Sequence, residues 1–393
     1  MGGPRAFQML CDCHRCWHHA LGEFELTSIA WQGTQLASIN PIERLAEMTG
    51  SKWSNLNHAR EYTIARRIEL QQALAGIDTD DTSIVVFGSL ARDEASEGSD
   101  TDWTLLVDGI SDPLHVNSAQ EIERRLILAG AIRPGPEGTF GSLAFSHQIV
   151  HWIGGEDDSN ANTTRRILLL LESKALGNPA AWNRVLDNIL YRYLTEDRGI
   201  WDRQKRRAVP LFLLNDITRY WRIMVVDFAY KQRARANRGY ALRSIKLGLS
   251  RKLIFVSGLL TCFTGYLDFT DDQWFELSHA GNPQPLIDRL RSVLNMTPLE
   301  NVATRLARYP HALESAKRLF DAYDEFVGLL ADSGGTQKPP RDHLEGLPVD
   351  ELESDKIFLH AQGMRRRFGE ALHELFLKPG TELYELTLRY GVF

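Results

Sequence analysis

The chain has 393 residues, 43% of them hydrophobic, with a net charge of −6, which is enough apolar material for two or three domains and rules out a disordered chain. The acidic balance argues against a broadly basic DNA-binding protein and restricts any nucleic-acid contact to a focal one. No apolar run reaches the roughly eighteen residues of a membrane span and no leader of a charged region followed by an apolar one is visible, so the expectation is a cytoplasmic protein without a membrane partner.

Residues 1–40 read as a poorly ordered tail. Cys11, Cys13, His14, Cys16, His18 and His19 crowd into it, yet zinc sites pair two separated ligand knuckles and no second knuckle follows, so no metal is assigned there. Three of the four cysteines fall in this stretch, a pattern that sets no disulfide framework and agrees with a reducing compartment. Over residues 41–75, Ile42, Leu45, Met48, Tyr62, Ile64, Ile68, Leu70 and Leu74 recur at helical spacing, with Pro41 suited to a first turn. Arg60, Arg66 and Arg67 are expected on the solvated face of that helix.

The apolar β-branched run 84–87 predicts a buried strand that ends in Gly88-Ser89. Gly88 presents no side chain to block a phosphate, Ser89 offers a hydroxyl, and the free N–H groups of the turn favour anions. Asp100 and Asp102 stand eleven and thirteen residues after Ser89 and open a second apolar strand at 103–107. Residues two apart on a strand share a face, so the two carboxylates project together, as a pair holding Mg²⁺ against a nucleoside triphosphate must.

This arrangement resembles the signature of the nucleotidyltransferase superfamily, which includes DNA polymerase beta, kanamycin nucleotidyltransferase and the uridylyltransferase domain of the bacterial nitrogen regulator. The stretches 154–158, 165–173 and 241–253 are similar to a bacterial branch of that superfamily, and the resemblance covers roughly residues 40–330. It implies an α+β fold, a small mixed-sheet catalytic domain followed by a helical bundle. The expected boundaries are 41–178 for the catalytic domain with its leading helices, 179–330 for the helical domain, 331–349 for a Gly/Pro-rich linker and 350–393 for C-terminal helices.

Between the second strand and the helical region, 119–128 reads as an amphipathic helix and 143–153 as a third strand. The resemblance implies a third carboxylate on that strand, but none is present; Gln148 stands there between His147 and His151. Asp157 is the first choice for the missing acid and Asp158 the second, with His151 an alternative proton acceptor because imidazole titrates near neutrality. Arg165-Arg166 opens a capped helix against its dipole and needs an anionic partner, either nearby carboxylates or substrate phosphate. Helices are expected over 182–193, 209–229, 241–263 and 285–294. In the second of these Asn215, Arg219 and Arg222 share a face, readable as a cleft network or an internal ion-pair network. In the third, Arg243, Lys246, Arg251 and Lys252 cluster; relatives supply a basic residue to the triphosphate from this region, and Lys246 is the choice. The triplet Arg365-Arg366-Arg367 points in three directions and could meet RNA only in part.

The expected function is transfer of a nucleoside monophosphate from an NTP, with Mg²⁺ or Mn²⁺, to a hydroxyl acceptor that is a protein, a small molecule or an RNA. Gly88, Ser89, Lys246 and Arg165 would hold the nucleotide, Asp100 and Asp102 the metal, and Asp157 would complete the catalytic acids. The alternative is a catalytically silent nucleotide sensor.

Overall fold

A four-stranded mixed sheet carries the site, and the computed structural model describes it together with residues 40–135, 140–201, 207–335 and 338–391. The Cys/His-rich stretch 11–19 and most of the expected tail lie outside the described residues. Strand β1 (Thr82–Phe87) runs antiparallel to β2 (Trp103–Val107) on one side and to β4 (Ser173–Ala175) on the other, and β2 runs parallel to β3 (Ser142–Phe145), giving the order β3-β2-β1-β4.

Both central strands are buried along their whole length, so they read as continuous apolar runs rather than alternating ones. Alternation still decides which core each side chain joins. Ile84, Val86, Trp103, Leu105 and Val107 pack on α2 (Ser54–Leu74) and α4 (Leu114–Leu128) through Leu70, Leu74, Ile122 and Leu126. Val85, Phe87 and Leu106 face the opposite way and join a larger core that continues through the helices as far as Leu386. Helix α4 makes the crossover that a parallel β2/β3 pair requires.

Before the sheet, α1 (Pro41–Thr49) is capped by the Asn40 side chain, which accepts from Ile42 N–H at 2.8 Å. After β1 comes the single turn α3 (Gly88–Ala91); after β3 come α5 (Ser146–His151) and α6 (Asn160–Leu171). The remaining α-helices are α7 (Ala180–Glu196), α8 (Leu211–Ala234), α9 (Tyr240–Lys246), α10 (Lys252–Cys262), α11 (Thr264–Leu267), α12 (Asp271–Ala280), α13 (Gln284–Leu294), α14 (Pro298–Leu306), α15 (Leu313–Ala331), α16 (Pro340–Gly346), α17 (Lys356–Leu377) and α18 (Glu382–Leu386), with π turns over Leu247–Arg251, between α9 and α10, and Thr387–Gly391, after α18. The fold is therefore α+β, with a small mixed sheet among many helices, and no described helix is long and apolar enough to cross a membrane.

Two sequence expectations change. The third strand stops at Phe145, the last residue paired with β2, and 146–151 coil into α5, placing His147 and His151 one turn apart on a helix with ring centroids 4.9 Å from each other. The expected linker at 331–349 contains α16, whose Leu344 is fully buried, with Leu347 buried just after it. From residue 40 onward the chain clusters as one unit. Its leading helices are tied to much later ones. Asn40 Nδ2 donates to Glu300 Oε1 at 2.7 Å, the Trp53 indole N–H to Asp321 Oδ1 at 2.8 Å, and Leu56 N–H to Asp324 Oδ1 at 3.0 Å.

Candidate active site

The turn after β1 and the strand β2 are locked in register where the chemistry is expected. Phe87 N–H donates to Asp102 C=O at 2.9 Å, which sets the first residue of α3 beside the Asp102 carboxylate. Gly88 adopts φ +65°, and a Cβ there would stand 3.1 Å from Asp102 Oδ2, so both backbone conformation and space favour glycine. Asp100 is held by a parallel bridge to Ile132, and Thr101 N–H donates to Ile132 C=O at 2.8 Å. With Thr101 buried between them, Asp100 and Asp102 face the same cavity.

That cavity has a volume of about 700 Å³ and includes Gly88, Ser89, Asp100 and Asp102 on its sheet side and Lys246, Arg251 and Arg341 on its helical side. Its size falls within the range of small-ligand sites. The charges in it are unevenly satisfied. Arg92 pairs with Glu94 at 2.9 Å and also with Glu172, Lys231 pairs with Asp227 at 2.6 Å, and Arg341 approaches Asp100 at 3.5 Å. Among the described residues, neither Lys246 nor Arg251 forms an ion pair.

Both kinds of charge are perturbed. Burial pushes the Asp102 carboxyl up to about 7, and the negative charges of Asp100 and Glu172 push the same way against Lys246 and Arg92. Burial lowers the Lys246 ammonium to about 8; Arg341 and Arg251 add to this while Asp100 opposes it. A crowded carboxylate and a desolvated cation in one cavity are the usual marks of a site built for a charged ligand.

Lys246, just before the π turn, and Arg251, at its end, both line the cavity. Five residues along an α-helix would separate two side chains by about 140°, whereas the i→i+5 bonding of a π turn brings them nearer to one side. Of the other basic residues clustered there in the sequence, Arg251 joins Lys246 in the cavity, Arg243 is not part of it, and Lys252 faces a different groove, lined by Arg365 and Glu370.

Of the sequence-chosen residues, the cavity brings together Gly88, Ser89, Asp100, Asp102 and Lys246. Asp157 does not line it; the residue is exposed in the turn after α5. Asp158 is committed elsewhere, accepting at 2.8 Å from Arg166, whose guanidinium also donates to Asp216 at 2.5 Å and to the Tyr193 hydroxyl at 2.7 Å. Arg219 joins this buried network through the Asp158 carbonyl at 2.7 Å. The arginine pair thus meets carboxylates through Arg166, while Arg165 lines a neighbouring crevice with Val85, Thr104 and Phe140 rather than the main cavity. His151 is exposed and also outside the cavity.

Besides Asp100 and Asp102 the cavity includes Glu94, Asp227 and Glu172, and of these Glu172, at the end of α6 and immediately before β4, adds its negative charge to the Asp102 environment. Because Phe87 pairs with Ser173, the edge strand delivers Glu172 next to the Gly88 turn. The sequence carries one signal for it, a lone acid closing the apolar run 167–171. Arg92, Glu94 and Tyr323, whose hydroxyl donates to Glu94 at 2.8 Å, were likewise invisible in the sequence, since they meet only in the folded chain.

No group of three or more His, Cys, Asp and Glu side chains positioned to hold a metal occurs among the described residues. Mg²⁺ at triphosphate sites is commonly held by one or two carboxylates, the rest of its shell being phosphate oxygen and water. Asp100 and Asp102 fit that donor set, and the raised Asp102 carboxyl marks a place where a cation would relieve repulsion. Comparison with known proteins adds no name: no family model, no curated protein and no solved structure matches the chain.

Proposed function

We propose that the chain is a nucleotidyltransferase, moving a nucleoside monophosphate from an NTP to a hydroxyl acceptor with release of pyrophosphate. The observation that carries this reading is the single cavity that joins the Gly88-Ser89 turn and the Asp100/Asp102 pair to two cations, Lys246 and Arg251, that form no ion pair among the described residues. In the proposed reaction the acceptor oxygen bonds to the α-phosphorus as the bond to the α,β-bridging oxygen breaks. The backbone of the Gly88 turn and the Ser89 hydroxyl cradle the phosphates. Lys246 and Arg251 offset charge on the departing pyrophosphate. Glu172 is the carboxylate placed to take the acceptor's proton. Mg²⁺ or Mn²⁺ on Asp100 and Asp102 would supply charge neutralisation at the phosphoryl oxygens.

The acceptor classes remain a protein hydroxyl, a small molecule and an RNA end. The test is incubation with each α-labelled NTP, Mg²⁺ and three acceptor pools, namely extract protein, small metabolites and total RNA, reading pyrophosphate release and label transfer. Asp100→Ala and Asp102→Ala should each abolish both signals while the protein stays folded; full activity in either would falsify the assignment. One observation favours a second reading, a silent nucleotide sensor: Glu172 is already engaged by Arg92. Tight Mg²⁺-dependent NTP binding with no pyrophosphate from any pool would select that reading.

A further inference from the structure

The arginine triplet on α17 is divided among three environments. Arg367 forms a two-pronged pair with Glu325 at 2.9 and 2.6 Å, and Arg366 is exposed on the same helix. Arg365 forms no ion pair among the described residues. It lies across Gly248 in the middle of the π turn, so closely that a Cβ on that glycine would stand 2.5 Å from its Cδ and 2.7 Å from its Cγ and Nε. Its Nη1 donates to Ser244 Oγ at 3.2 Å, on the helical turn before Lys246. Gly248 lacks a positive φ, so what favours glycine there is the space taken by the Arg365 side chain and not backbone conformation.

We infer that Arg365 is a positioning residue: seated in the notch left by Gly248 and bonded to Ser244, it holds the π turn that sets Lys246 and Arg251 together on the cavity. A π turn is a local departure from the more favourable α-helical ladder and persists where surrounding packing fixes it. The long aliphatic stem of arginine supplies that packing and the guanidinium supplies the bond. The inference rests on the nucleotidyltransferase reading, because its consequence is felt by the outer phosphates.

The experiment measures the affinities of a non-hydrolysable NTP and of the matching NMP, with Mg²⁺, for the full chain and for Arg365→Ala, Arg365→Lys, Arg366→Ala, Gly248→Ala and Lys246→Ala. In Arg365→Ala the triphosphate should bind about tenfold more weakly, with monophosphate binding within about twofold of the parent. Arg365→Lys should recover most of the loss, Arg366→Ala should match the parent, and Gly248→Ala should copy Arg365→Ala by displacing the side chain. Should Arg365→Ala fail to fold, Gly248→Ala and Ser244→Ala carry the same comparison. The inference is overturned if the parent prefers triphosphate and Lys246→Ala removes that preference, yet the Arg365 and Gly248 variants keep it or lose both ligands equally. A parent with no triphosphate preference overturns the function itself and the inference with it.

Discussion

Asp102 sits where three acidic side chains converge beside a turn with no room for a Cβ, and its carboxyl is pushed up to about 7, first by burial and then by Asp100 and Glu172. A folded value above the unfolded one means the native chain keeps a proton that the unfolded chain has released, so stability falls as pH rises from about 4 towards 7. Asp102→Asn removes the buried charge. In metal-free thermal melts it should unfold at a higher temperature than the parent at pH 8, with the advantage shrinking to nothing by about pH 4; equal melting temperatures at pH 8 would contradict the assigned environment. At the same scale, Glu172→Gln should lower transfer by about a hundredfold or more with little change in nucleotide affinity. Asp157→Asn should stay within about twofold, as an exposed residue outside the cavity; the reverse ranking would return the role to Asp157. The pair Asp100/Asp102 was legible because its two-residue spacing in the extended stretch leading into β2 gives both side chains a shared face. Glu172 was not, because it reaches the site through an edge strand of only three residues whose pairing with β1 leaves no periodic trace.

At the level of elements, hydrophobic spacing located α1, α2, α4, α6, α7, α8, α10 and α13, while α12, α14 and α15 were not singled out and α5 and α16 were read otherwise. The segment after Phe145 alternates like a strand but has no strand to pair with beyond Val107, so it satisfies its backbone as α5 instead. The π turn left no mark in the sequence; Arg251 and Lys252 were both expected near Lys246, and the fold brings Arg251 to the cavity while Lys252 lines another groove. Its effect on binding is testable. Lys246→Ala should weaken triphosphate binding about tenfold or more and monophosphate binding much less. Because burial, Arg341 and Arg251 bring the Lys246 ammonium down to about 8, triphosphate affinity of the parent should decline above that pH as the charge is lost. Lys246→Arg should carry the decline to higher pH. A titration of affinity between pH 6.5 and pH 10, estimated to bracket the transition, checks both.

Over the whole molecule, the helices that follow the sheet were readable from periodicity and the α+β class was what the resemblance implied; the sequence does not show that 331–349 is packed rather than a free linker. Gly and Pro at 331–349 signal breaks in the chain, yet these residues enclose α16 and bury Leu344 and Leu347 against the rest. Helix α17 buries Ala361, Met364, Phe368, Ala371, Leu372 and Leu375, and much of it packs along α15. A chain ending at residue 349 should therefore lose cooperative unfolding, because removing this face exposes apolar surface worth about 25 cal/mol per Å². Scanning calorimetry of both forms decides it; an unchanged sharp transition in the shortened chain would show that α17 is an appendage.

The hydrogen bonds from Asn40, Trp53 and Leu56 to Glu300, Asp321 and Asp324 span more than 250 positions of the chain. During synthesis, α1 and α2 leave the ribosome long before the carboxylates that receive them. At roughly 5–20 residues per second, that interval is on the order of ten seconds or more, during which α1 and the first turns of α2, with Trp53 and Leu56, lack the native cover that Leu70 and Leu74 find sooner on the sheet and α4. The newborn chain is thus open to aggregation for most of its synthesis, and chaperone supply rather than final stability should govern its yield.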